Sequence, residues 1–200
     1  MPTLYLVCGL PGAGKTTLAK QLEQEKQALR LCPDEWLAHL LEDVSSREEL
    51  DRLRPSVDTL QWEVAKRLLS LGTSVIMEKG FWLREERLDH KAQAEALGAD
   101  VELYVLDVLK GELRKRLDAR NANLCFGTFP VTREELDFYH SWFELPEPDE
   151  LTSYNKVHSW ESLIRGFVVW CDVTFRVMPV SCAGWGKGVR CRHAQTDPRQ

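Results

Sequence analysis

The stretch Gly9-Leu10-Pro11-Gly12-Ala13-Gly14-Lys15-Thr16-Thr17 constrains this chain more than any other. A β-branched and aromatic run from Thr3 to Cys8 ends in Gly9, four residues pass, and Gly14-Lys15-Thr16 completes the pattern G-x-x-x-x-G-K-[ST]. Each residue type has its own reason to be there. Glycines let the backbone turn tightly and bring N–H groups against phosphate oxygens with no Cβ in the way. Lys15 supplies a point charge for β- and γ-phosphates. Thr16 offers a hydroxyl to Mg²⁺. The segment that follows carries Leu18, Leu22 and Leu29 among polar, helix-favouring residues, so the loop opens a helix whose N-terminal N–H groups attract an anion. A glycine-rich turn that binds nothing is the plainer alternative, but the placement between strand and helix is the one phosphate binding requires.

With 200 residues the chain can build one α/β domain with a real core and little more. A net charge of −5 argues against a general nucleic-acid or membrane-surface binder, though not against a local basic groove. No apolar run approaches the ~20 residues of a membrane span, and no signal peptide is visible. The six cysteines (Cys8, Cys32, Cys125, Cys171, Cys182 and Cys191) show no disulfide-framework spacing. Together these features lead us to expect reduced thiols and a cytoplasmic location. Cys182 with Cys191-Arg192-His193 fits no zinc spacing.

Taken in order, residues 16–29 read as the first helix and Arg30-Leu31-Cys32 as a short strand or loop. Pro33-Asp34-Glu35-Trp36 opens the next helix, over 35–43. Asp34 is there either as a first-turn carboxylate favoured by the helix dipole or as a carboxylate facing the nucleotide. A long helix follows over 47–70, with Pro55 as a break or kink and Arg47, Arg52 and Arg54 on a solvated face. Ser74 to Met77 is a buried strand ending in Glu78, a position from which a carboxylate commonly helps hold the water shell of Mg²⁺. Arg84 and Arg87 share one face of the helix that runs to Leu97, which is a mixed-charge surface or part of a site. After a fourth strand over 101–108, Arg116 and Arg120 share a face of a strongly basic helix. In an acidic chain that concentration of guanidinium groups points to phosphate. Residues 121–130 are rich in turn formers, as a closing lid would be. Thr132 caps a short helix bearing Phe138, Tyr139, Trp142 and Phe143, and 145–150 reads as a loop. Further on, 166–180 holds enough Val, Phe and Trp for one or two strands, and the glycine-rich end from Gly184 onward reads as a disordered tail.

These pieces resemble a known group, the small P-loop kinases of the AAA_33 and zeta-toxin-like type, related to chloramphenicol phosphotransferase, gluconate kinase and the kinase domain of polynucleotide kinase. The likeness rests on Gly9 to Thr17, Cys32 to Trp36, Val75 to Trp82 with Arg84 and Arg87, Leu113 to Asn121, and Gly127 to Arg133, and it covers roughly residues 3–150. Glu78 stands where such proteins often have Asp, and nothing after about 155 matches the pattern. The resemblance implies that Asp34 is the base or orienter for an acceptor hydroxyl and that Arg116 or Arg120 is a lid arginine on the transferring phosphate. Trp36, Trp82, Arg84 and Arg87 would then shape the acceptor pocket.

The expectation is therefore a three-layer α/β P-loop NTPase fold with a parallel sheet of about five strands. The kinase-like domain would occupy 1–155 with a helical lid at about 110–145, an extension would span 156–183, and the tail 184–200. ATP and Mg²⁺ are the expected cofactors, and transfer of the γ-phosphate to a hydroxyl of a small molecule is the expected reaction. An ATPase or nucleotide-switch module and a polynucleotide 5′-hydroxyl kinase are the alternatives. A nucleic-acid acceptor is not favoured by the net acidity.

Overall fold

The chain is described here as a computed structural model, over residues 1–41 and 46–159. The expected strands in 166–180, the cysteine and histidine positions 182–193 and the glycine-rich tail lie outside those residues.

Five strands form one parallel sheet in the order β2-β3-β1-β4-β5, where β1 is Thr3–Gly9, β2 Leu29–Leu31, β3 Val75–Gly80, β4 Asp100–Leu106 and β5 Lys156–Ser159. The central strands are buried on both faces, which is why they read as apolar runs rather than as alternating ones. Side chains of β1 still alternate between two cores. Leu4, Leu6 and Cys8 join Trp62, Ala65 and Leu69 of helix α3 (Arg47–Ser70) and Ala94 of α4 (Arg84–Ala96). Tyr5 and Val7 point the other way, onto Leu18, Ala19 and Leu22 of α1 (Lys15–Lys26) and Leu113 and Leu117 of α5 (Lys110–Asn121). A third, smaller core joins Leu37 of α2 (Pro33–Leu40) to Leu50 and Val57 of α3 and to Phe129. Helix α6 (Arg133–Trp142) adds Leu136 to the core that holds Tyr5 and Val7.

Register brings the site together. Gly9 pairs with Leu106 and Cys8 with Gly80, so β1, β3 and β4 end level, and Leu31 pairs with Met77, so Glu78 lies one step above the end of β2. Everything that follows a strand terminus therefore converges on one edge, the carboxyl edge where open α/β sheets bind ligands.

Several local expectations shift. Helix α1 ends at Lys26 because Gln27 turns left-handed (φ 51°), which frees Leu29 for β2. Pro55 sits inside α3 without ending it. The loop expected at 145–150 contains a short helix, α7 (Pro148–Leu151). The fifth strand falls just past residue 155, where four residues of mixed polarity are too few to show a pattern; β4 supplies its hydrogen-bonding partners. Thr132 does cap α6, with Glu135 completing a reciprocal capping box. Among the described residues no helix is long and apolar enough to cross a membrane.

Candidate nucleotide and acceptor site

The glycine loop leaves β1 at Gly9, where φ is 154° and a Cβ would lie 3.0 Å from the Leu106 carbonyl oxygen. Only glycine lets β1 and β4 stay level there. The loop folds over its own turn, with Ala13 N donating to Leu10 O at 3.1 Å, and hands over to α1 at Lys15. Lys15 Nζ donates to Leu10 O at 3.0 Å, which lays the side chain back across the loop. Burial pushes its ammonium below the ordinary range; the Glu78 and Asp34 carboxylates pull it back up, and Arg120 pushes it down. Glu78, Asp34 and Arg120 thus all act on one lysine, although they come from three separate segments of chain.

Glu78 is buried within β3, which runs two residues further, to Gly80, than the strand expected from the sequence. One carboxylate oxygen accepts from the Thr16 hydroxyl, and the other accepts from Arg30 Nη1 at 2.8 Å. Burial raises its pKa, while the Thr16 and Arg30 contacts lower it. Arg30, on the edge strand β2, also makes a forked contact with Glu35 at 2.7 Å to each oxygen. Burial works against its charge, yet Glu35 and Glu78 hold that charge above the ordinary range. Read from the sequence, Arg30 has no role beyond opening a short strand or loop. The signal was there, a guanidinium between two leucines in a three-residue strand, but a lone charge on an edge strand ordinarily faces water.

Asp34 begins α2 and accepts from Arg54 Nη2 at 2.9 Å. Arg54 thus leaves the solvated face expected of it and ties α3 to the start of α2. Arg47 leaves it too, bonding Tyr139 Oη at 3.1 Å and pairing with Glu135 across to α6. The two arginines expected on a shared face of α5 separate in role. Arg120 Nη2 donates to Phe129 O at 3.0 Å, and the Asp34 carboxylate offsets part of what burial costs its charge. Arg116 pairs with Glu112 at 2.9 Å and reaches Gly12 O, in the glycine loop, at 3.5 Å. The segment between α5 and α6 lies against α2: a Cβ on Gly127 (φ 73°) would come within 2.7 Å of Glu35 Cγ.

The other acceptor-side residues divide as well. Trp82 donates from Nε1 to Gly9 O at 3.2 Å and packs on Tyr139, so it braces the loop. Trp36 packs half-buried between two of the cores. Arg84 forks onto Asp149 of the 144–149 segment at 2.5 and 3.2 Å and is exposed there. Arg87 corrects the sequence reading. Its side chain is fully buried, forks onto Glu150 at 2.6 and 2.8 Å, and donates from Nη1 to Phe81 O, Trp82 O and Glu144 O. With every nitrogen engaged inside the protein, it holds the 81–82 turn to the 144–150 segment and faces no pocket. Spacing put Arg84 and Arg87 on one face; the partner that buries Arg87, Glu150, lies 63 residues away.

A five-stranded parallel sheet with a phosphate loop between β1 and α1, a carboxylate on the neighbouring strand and a helical cover defines the P-loop, kinase-like class of nucleotide-binding folds. The AAA domain family, AAA_33, matches residues 4–146, and the chain belongs to it. Solved structures agree on the fold. A candidate kinase from Chloroflexus aurantiacus superposes with TM-score 0.64 at 21% identity, covering 84% of this chain and 96% of its own. Kti12 from Chaetomium thermophilum in complex with ADP-AlF3 gives 0.57 at 18% identity, over 84% of this chain and 97% of its own. A sugar kinase from Janibacter sp. HTCC2649 gives 0.58 at 19%, over 85% and 94%. No curated protein matches the chain.

Proposed function

We propose that the chain is an ATP-dependent phosphotransferase that moves the γ-phosphate of ATP to a hydroxyl of a small molecule. The observation that carries this reading is that Asp34, at the start of α2, and Arg120, near the end of α5, both act electrostatically on Lys15 of the phosphate loop. A module that only hydrolysed ATP would have no use for a carboxylate on that side. In the proposed step, the acceptor oxygen bonds to the γ-phosphorus as the bond to the β-γ bridging oxygen breaks and ADP leaves. The hydroxyl proton passes to the Asp34 carboxylate and then to solvent. The transition state is loose, so Asp34 acts mainly by orienting the hydroxyl, while Lys15 and Arg120 meet charge spread over the phosphoryl oxygens.

The Thr16 hydroxyl and Glu78 carboxylate are hard oxygen donors in contact with each other, a set suited to Mg²⁺ and its water shell. When bound, the ion would neutralise β- and γ-phosphate charge.

The test is ADP release measured across pooled hydroxyl compounds and 5′-hydroxyl oligonucleotides, then repeated with variants and the active acceptor. Asp34→Asn should abolish acceptor-dependent turnover while ATP still binds. If Asp34→Asn is silent and Glu78→Gln instead traps bound ATP, the chain is an ATPase.

A further inference from the structure

A cavity of about 470 Å³ opens between α3 and α4 at the carboxyl end of β3, and Asp51, Arg54, Asp58, Trp62, Lys79 and His90 are among the residues that line it. It adjoins the proposed chemistry through Arg54, which lines the cavity and also holds Asp34. One side chain, that of Arg54, therefore separates the cavity lining from the Asp34 carboxylate.

The charges of the cavity favour one class of occupant. Its two permanent cations are already engaged: Arg54 by Asp34 at 2.9 Å, and Lys79 by Glu86 at 2.5 Å and Asp58 at 3.5 Å. Asp34 and Glu86, outside the lining, pair with those two cations, and the lining adds two further carboxylates, Asp51 and Asp58. Asp58 Oδ1 is shut off from water and meets no hydrogen-bond donor. Burial raises the Asp58 pKa even though Lys79 and Arg54 act to lower it, the behaviour of a carboxylate short of positive charge. His90 adds none, because burial between the Trp62 and Phe81 rings lowers its pKa. An anionic acceptor would meet excess negative charge with no uncommitted guanidinium to receive it. An ammonium group would add positive charge beside the Asp51 and Asp58 carboxylates.

Resting on the phosphotransferase reading, we infer that this cavity is the acceptor site and that it takes a hydroxyl compound bearing a positive charge, an amino alcohol or amino sugar. Asp58 and Asp51 hold the ammonium end, and Asp34 receives the hydroxyl.

The test compares matched probes that differ in charge on one scaffold: glucosamine, glucose and gluconate, and ethanolamine, ethylene glycol and glycolate. Binding to the whole protein in the presence of ADP is followed by NMR titration, so no turnover is needed. The expected order is cationic tighter than neutral tighter than anionic. Asp58→Asn should weaken the cationic probes at least about tenfold, the loss expected when a hydrogen bond to a charged group goes. Asp51→Lys, an exposed change that leaves the core alone, should weaken them too and improve the anionic ones. A flat or reversed order, no binding by any cationic probe, or indifference to Asp51→Lys overturns the inference. Failure of the phosphotransferase reading shows separately, as probes that bind in the expected order but never raise ADP release.

Discussion

Arg87→Ala should cost stability rather than substrate binding. The variant removes a forked ion pair whose two side chains are both fully buried, and strands the Glu150 carboxylate in the core. It also removes the donor shared by Phe81 O, Trp82 O and Glu144 O at 2.9–3.2 Å. Breaking a buried pair from one side costs about 3–5 kcal/mol, because the remaining charge has neither water nor partner. For a chain of this size each kcal/mol moves the melting temperature roughly 2–4 °C, so a fall of about 6–20 °C is expected. The damage should spread to the loop, since Phe81 is held left-handed at φ 48° and the next residue, Trp82, braces Gly9. Thermal and urea unfolding of Arg87→Ala, Arg87→Met and Arg87→Met with Glu150→Gln are the assays. The double variant should recover much of the loss, because it leaves no stranded charge. A loss below about 1 kcal/mol, together with abolished turnover, would refute this account and return Arg87 to the acceptor pocket.

Lys15→Ala should abolish ATP turnover while leaving the melting temperature within a few degrees, since the hydrogen bond it gives up runs to Leu10 O within the same loop; normal turnover would remove the phosphate-loop assignment. Arg120→Ala should lower the rate about 10³-fold or more with little change in ATP affinity, and Arg116→Ala should cost less, because the Asp34 carboxylate acts on the Arg120 charge whereas Arg116 pairs with Glu112 on its own helix. Single-turnover rates of the two variants decide this, and equal losses would count against the distinction. Arg30→Gln removes a cation that lowers the Glu78 pKa, so that pKa should rise further and the acid limb of the Mg²⁺-dependent pH profile should move to higher pH; an unmoved limb would mean that Glu78 does not serve the metal.

The loop from Gly9 to Thr17 was legible because its requirements are local. Tight turning, close backbone approach, one ammonium and one hydroxyl all fall within nine residues, and the strand before and helix after carry their own periodicity. The parallel α/β class was legible for the same reason, from buried runs of Val, Leu and Ile separated by helical spacing. Glu78 was readable as the residue ending such a run. What distinguished Arg120 from Arg116, or Arg54 from Arg52, was not local. Helical spacing puts two arginines on one face but says nothing of what that face meets, and Arg120 differs only because α5 carries it towards the end of β2. Arg87 and Glu150 show this most sharply. A buried charge is tolerable only beside its partner, and that partner lies 63 residues further along the chain, in a segment that reads as an acidic loop. Arg30 joins Glu78 to Glu35 through the pairing of β2 with β3. Local chemistry was written in the order of the residues, whereas the committed charges were settled by which strand ends and helix starts the sheet brought level.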